Sequence, residues 1–199
     1  LKWIEPREDG SINADDVINS IGENTKLITI THMSNVLGSV VDVQKICKIA
    51  RKKEIITLID GSQSVVHMPI NVTELCCDFF VFTGHKLYGP SASGAIYINQ
   101  NRFDEMEPFL GGGSMINFVG KENITYNKAP HKFEAGTPAI IPIIGLGAAI
   151  DFVLSIGQEN ILEYENSLIN YAKDCLYNLD FLNFQGISVD KGGIFSFTM

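Results

Sequence analysis

Three short apolar runs, Lys26–Thr31, Ile55–Ile59 and Asp78–Thr83, each stop on polar residues, and this constrains the chain more than any other feature. The runs are continuous rather than alternating, the pattern of strands covered on both faces of a parallel sheet. A helix expected from about Val43 to Lys53 separates the first two, and a turn with irregular chain separates the second and third. Ser93–Ile98 reads as one more short strand. This alternation predicts an α/β fold with a largely parallel sheet and helices on both faces. In such sheets ligands bind beyond the carboxyl ends of the strands. The polar residues collect there: Asn35 after the first run, Asp60 and Gln63 at the end of the second, Thr83, His85 and Lys86 at the end of the third.

The flanking segments are assigned by the same logic. Leu1–Ile4 reads as a further strand, and Asn13 as the N-cap of a helix with Asp15 and Asp16 in its first turn and Gly22 beyond its end. Ala139–Ile150 is almost wholly apolar, but Asp151 ends it short of the roughly 20 residues a membrane span needs. A buried or interface helix running to about Ile156 is therefore expected. Gln158–Asn178 carries Leu162, Leu168, Ile169, Ala172 and Leu176 at helical spacing. The division falls near Gly157, with a large domain over residues 1–157 and the start of a smaller α/β C-terminal domain over 158–199. The missing initiator methionine and the apolar stretch cut at Met199 mark the chain as an internal piece of a longer protein.

Bulk properties exclude several classes. The formal charge of −8 does not fit a nucleic-acid binder, which needs clustered Lys and Arg along a phosphate track. Four histidines without ligand spacing give no metal site. Cys47, Cys76, Cys77 and Cys175 form no Cys-x-x-Cys pattern, and a reducing, cytoplasmic compartment is the simplest setting. The Gly111–Ser114 run has no following lysine and is no P-loop, and Gly145-x-Gly147 follows a proline rather than a strand, so helix packing accounts for it.

The strand-end residues carry the chemistry. Lys86 precedes a turn, Leu87–Pro90, and is either a solvated loop lysine or an amine that bonds a carbonyl. The second role requires a lysine that loses its proton easily. Asp60 ends an apolar run, where a carboxylate is costly unless it meets a partner: a helix cap, or a protonated ring nitrogen. Gln63 and Asn35 are either turn residues or donors to a ring oxygen. Thr83 and His85 are suited to a phosphate.

Taken together, Thr31–Gly38, Asp60–Gln63, Thr83–Pro90, Gly111–Ile116 and Phe133–Pro138 resemble, in order, the segments of the class V aminotransferase superfamily of pyridoxal-5′-phosphate (PLP) fold type I. Within it the sequence is similar to the type II cysteine desulfurases, the group that includes selenocysteine lyases. The resemblance implies a three-layer large domain and PLP as cofactor. It implies that Lys86 carries PLP and moves the proton at the substrate α-carbon. It further implies that Asp60 pairs with the pyridine nitrogen, Gln63 contacts the phenolic oxygen, Thr83 and His85 bind the phosphate, and Asn35 lies on the cofactor or substrate side. Thr137 would reach the phosphate held by the other subunit of a homodimer. The implied reaction takes L-cysteine, or L-selenocysteine, to L-alanine and passes sulfur as a persulfide to an acceptor protein for iron–sulfur assembly. A PLP-dependent epimerase of the same fold and a catalytically dead scaffold are the rival readings. The sequence departs from the family pattern at Ser114, Lys132 and Ala139, and in Ser91–Ala92. The family's ring-stacking histidine would lie upstream of Leu1, and its persulfide cysteine and substrate-carboxylate arginine downstream of Met199. No cysteine of this chain stands in the nucleophile's context.

Overall fold

A computed structural model describes all residues from Leu1 to Met199. Its centre is a four-stranded sheet, β1 (Leu27–Thr31), β2 (Ile56–Asp60), β3 (Phe79–Thr83) and β4 (Gly94–Ile98), lying side by side in chain order. The first three strands are parallel, with Thr31 opposite Asp60 and Asp60 opposite Val81. The fourth is antiparallel and places Gly94 opposite Thr83. The expected largely parallel sheet is therefore present, and β4 adds an antiparallel edge.

Parallel neighbours need crossovers. α2 (Val43–Lys52) makes the first, after α1 (Ala14–Asn19), and the short α3 (Ser64–His67) and α4 (Val72–Leu75) make the second. Asn13 caps α1 by accepting the Asp15 N–H at 2.8 Å, as expected, but the helix stops at Asn19, with Ser20 rather than Gly22 closing it. Val17, Val43, Ile46, Cys47 and Ala50 bury one side of α1 and α2, where Ile59 and Phe80, opposite each other in the sheet, complete the main core. A second cluster joins Val65 and Val66 of α3, Leu87, and Leu146 and Val153 of α5 (Ile140–Ile156).

The remainder is built from small units. β5 (Ile116–Val119) and β6 (Ile124–Tyr126) form a hairpin that the sequence left as irregular chain. α6 (Gln158–Leu176) leaves α5 at 72° across Gly157, and β7 (Asn183–Gln185) pairs with β8 (Ser196–Thr198). No single helix is long and apolar enough to cross a membrane. Leu1–Ile4 is not a strand. A strand must pair its N–H and C=O groups, and no strand of any sheet is hydrogen-bonded to this segment.

One buried carboxylate ties the sheet together at the end opposite the polar edge. Asp78 is 8% exposed; its Oδ2 accepts the Thr57 N–H at 2.9 Å and hydroxyl at 3.1 Å, and its Oδ1 accepts from Arg102 at 2.9 Å. Removing it strands the buried Thr57 N–H and takes from Arg102 one of its two carboxylate partners, the other being Glu105. Asp78→Ala should lower the unfolding free energy by about 2 kcal/mol in a denaturant titration. Asp15→Ala, which removes the exposed pair with Lys45, should change it by less than about 1 kcal/mol. Equal losses in the two variants would contradict the role given to Asp78.

Candidate functional site at the carboxyl edge of the sheet

Parallel pairing fixes where the polar residues emerge. β1, β2 and β3 all end at one edge, and β4 begins there, so Asp60, Thr83 and the turn bearing Lys86 are neighbours by topology. The chain leaves β3 through a single 3-10 turn, Gly84–Lys86, and returns to β4 at Gly94. That loop is closed by three backbone bonds: Gly84 N–H to Ser93 O at 2.8 Å, and the Leu87 and Gly89 N–H groups to Gly84 O, each at 2.9 Å.

Helix α5 supports this loop from outside. A Cβ on Gly145 would lie 2.5 Å from Pro90, and Cβ atoms on Gly84 and Gly89 would lie 3.2 and 3.1 Å from Leu146. The glycines are required by close approach, which is the packing role expected for Gly145. Tyr88 adopts φ 58°, a left-handed conformation that costs a non-glycine residue about 1 kcal/mol or more. The loop's own bonds and α5 hold it there.

Several groups at this edge have no partner within the protein. Thr83 Oγ1 is buried and makes no hydrogen bond. Lys86 is half-buried and forms no ion pair. Asp60 is half-buried, and its Oδ1 accepts the Ser62 N–H at 2.9 Å, so the local turn uses one oxygen and leaves Oδ2 free. His85 is exposed beside Lys86. A buried hydroxyl without a partner costs about 1–3 kcal/mol, so it is a structural defect unless a ligand meets it.

Gln63 stands at the N-cap position of α3 without a side-chain capping bond, and its amide is already engaged: Nε2 lies 2.8 Å from His67 Nε2. Asn35 is exposed in the turn after β1, and Thr137 is exposed in the turn before α5. Neither makes a hydrogen bond to Asp60, Thr83 or Lys86, so within one chain these two stand apart from the set. His67 and Glu165 had no place in the sequence reading. His67 is four residues after Gln63, on the same helical face, which is a usable signal; Glu165 is 98 residues further on and gives none. A cavity of about 540 Å³ is lined by His32, His67, Glu165, Ile169 and Lys191, but by none of Asp60, Gln63, Thr83 or Lys86.

The two buried cysteines are not poised as nucleophiles. Burial pushes the Cys47 thiol up to about 11 and the Cys77 thiol up to about 12. All four cysteines are free. No group of three or more His, Cys, Asp or Glu side chains is placed to hold a metal ion.

Comparison with known proteins identifies the family and the fold. The family model described as aminotransferase class-V matches residues 1–199. A probable cysteine desulfurase of Halalkalibacterium halodurans is 45% identical over 94% of this chain and 46% of its own length. A cysteine desulfurase of Escherichia coli O8 is 43% identical over the same shares. The chain thus spans about half the length of the curated relatives it matches. Among solved structures, the apo cysteine desulfurase of Thermococcus onnurineus NA1 superposes with a TM-score of 0.93 at 34% identity, over 100% of this chain and 50% of that one. A C-DES variant with glycine covalently linked to its PLP cofactor superposes at 0.83, with 26% identity over 93% of this chain and 50% of that one.

His32, immediately after β1, adds a pH dependence to this edge. Its Nδ1 is buried without a partner, and desolvation lowers its pKa to about 4, only partly opposed by Asp42. An unfolded histidine titrates near 6.5, so between those values the unfolded chain binds more protons and stability falls as pH falls. Urea unfolding should show a loss of about 2 kcal/mol from this residue between pH 7 and pH 5, absent in His32→Leu. Identical pH slopes in the two proteins would contradict the assignment.

Proposed function

The chain belongs to the class-V aminotransferase family, and from that premise we propose that it supplies the cofactor-holding part of a PLP-dependent cysteine desulfurase. The observation that carries the reading is the cluster of unpartnered groups at adjoining strand ends: Asp60 Oδ2, Thr83 Oγ1 and the Lys86 amine. Their chemistry fits PLP. A buried hydroxyl without a protein partner suits a phosphate oxygen, a free carboxylate oxygen suits a pyridinium nitrogen, and an unpaired lysine suits the aldehyde.

PLP, when bound, supplies an electron sink for the charge left on a substrate α-carbon. The residues of this chain do the rest. Lys86 would hold the cofactor through its amine and would move the proton at the substrate α-carbon. Asp60 holds a proton at the ring nitrogen, which keeps the sink effective. Gln63 donates to the phenolic oxygen, Thr83 and His85 hold the phosphate, and Asn35 borders the substrate side. The substrate is L-cysteine, the product L-alanine, and the sulfur leaves as a persulfide destined for an acceptor protein in iron–sulfur assembly. Cys47 and Cys77 are buried with thiols pushed up by desolvation, which does not suit a persulfide-forming nucleophile.

The assembly is a homodimer, with Thr137 reaching the partner's phosphate. Support comes from α5, where Ile140, Ile141, Ile143 and Ile144 are 47–82% exposed, and from the exposure of Thr137 at its start. Residues 1–157 form the cofactor-binding domain and 158–199 begin a second one. Four free cysteines support a reducing, cytoplasmic setting.

The test is made in the full-length protein. L-cysteine-dependent release of alanine should fall about 10²–10⁴-fold in Lys86→Ala. Asp60→Asn should retain PLP while losing most of the turnover, because a neutral amide does not hold the ring proton. Unchanged turnover in either variant would overturn the proposed roles.

A further inference from the structure

We infer that Glu165 and His67 form a positioning relay that fixes which end of the Gln63 amide faces the cofactor edge. The inference rests on the placement of Gln63 against the cofactor proposed above, and it extends the site to a helix beyond Gly157.

The geometry is a chain of two contacts. His67 Nδ1 lies 2.8 and 3.0 Å from the two carboxylate oxygens of Glu165, and His67 Nε2 lies 2.8 Å from Gln63 Nε2. The side chains of His67 and Glu165 are 19% and 22% exposed, so bulk water competes only weakly for these bonds. A carboxylate only accepts, so the imidazole proton resides on Nδ1. In the neutral imidazole Nε2 is then a lone-pair acceptor. Only the nitrogen end of the Gln63 amide can satisfy it, and the amide is therefore held with one N–H committed to His67. The second N–H of the same nitrogen remains as a donor at the strand-end edge. Without the relay, the amide could rotate by 180° about its last bond and present its oxygen, an acceptor, in the same place.

The connection also has structural content, because His67 ends α3 while Glu165 lies in the second turn of α6. Two roles must therefore be separated. A strut between α3 and α6 would influence thermal stability alone. A positioning relay would also change how the cofactor's phenolic oxygen is solvated, and that oxygen's environment sets the pH midpoint of the visible absorption band of bound PLP. A net hydrogen bond to that oxygen is worth about tenfold in affinity.

The experiment uses the full-length protein and measures PLP dissociation, the pH midpoint of the bound cofactor's visible band, and thermal unfolding without PLP. Gln63→Ala is expected to weaken PLP binding about tenfold and to move the midpoint. His67→Ala should move the midpoint in the same direction, and Glu165→Gln, which keeps the side-chain shape, should do so to a smaller extent. In the Gln63→Ala background, neither second substitution should move it further, because a relay acts only through the amide. Should His67→Ala fail to fold, Glu165→Gln alone and in the Gln63→Ala background makes the same comparison. If Gln63→Ala shifts the band while the His67 and Glu165 variants change only thermal stability, the relay is wrong and the proposed site stands. Additive midpoint shifts would likewise overturn it. If Gln63→Ala itself leaves binding and band unchanged, the placement of Gln63 fails, and the relay with it.

Discussion

The register of three parallel strands is the constraint on which the site depends. Thr31, Asp60 and Val81 lie in a row across β1, β2 and β3, so the residues that follow each strand emerge at one edge. A slip of one residue would turn the Asp60 side chain to the opposite face and exchange the buried and half-buried sets of β2. What prevents the slip is distributed. Ile59 and Phe80 pack side by side in the core, and at the other end Asp78 accepts both the backbone and the hydroxyl of Thr57. The same Asp78 carboxylate holds Arg102 beyond β4. A polar anchor far from the chemistry and an apolar contact near it thus define where the carboxylate of Asp60 appears.

Position along the edge is a separate matter from orientation at it. The Gly84–Ser93 loop reaches its shape because α5 touches it closely: Gly145 abuts Pro90, and Leu146 meets the backbone at Gly84 and Gly89. A helix that is apolar on nearly all sides serves two surfaces at once. Leu146, Ala149 and Val153 are buried inward, while Ile141, Ile144 and Phe152 are more than half exposed. The inward contacts brace the turn that carries Lys86, and the outward residues form an exposed apolar face, the surface on which the proposed dimer rests.

Much of this was legible in the residues. Continuous apolar runs ending in Asp60 and Thr83 identify strands without ambiguity, and parallel topology then brings their ends together. Asn13 and Gly145 also did what their local chemistry implies, as cap and as close-packing residue. Other features were hidden for physical reasons. Leu1–Ile4 has strand composition but no strand beside it, and pairing rather than propensity makes a strand. The hairpin of β5 and β6 is three to four residues per strand, mostly exposed, and has too little alternation to register. Asp60 is not the helix cap that one reading of it expected: Gln63 stands at the N-cap position of α3, and Asp60 Oδ1 accepts only the Ser62 N–H of the local turn, leaving Oδ2 free. Glu165 was invisible because its contact with His67 spans 98 residues and exists only once α6 folds back on α3.

The central claim is that this strand edge carries PLP on Lys86. Borohydride reduction of PLP-loaded full-length protein, followed by peptide mapping in a mass spectrometer, tests it most directly. The account predicts one reduced phosphopyridoxyl adduct, located on Lys86. An adduct on a different lysine, or no adduct in protein that retains the visible band, would contradict it.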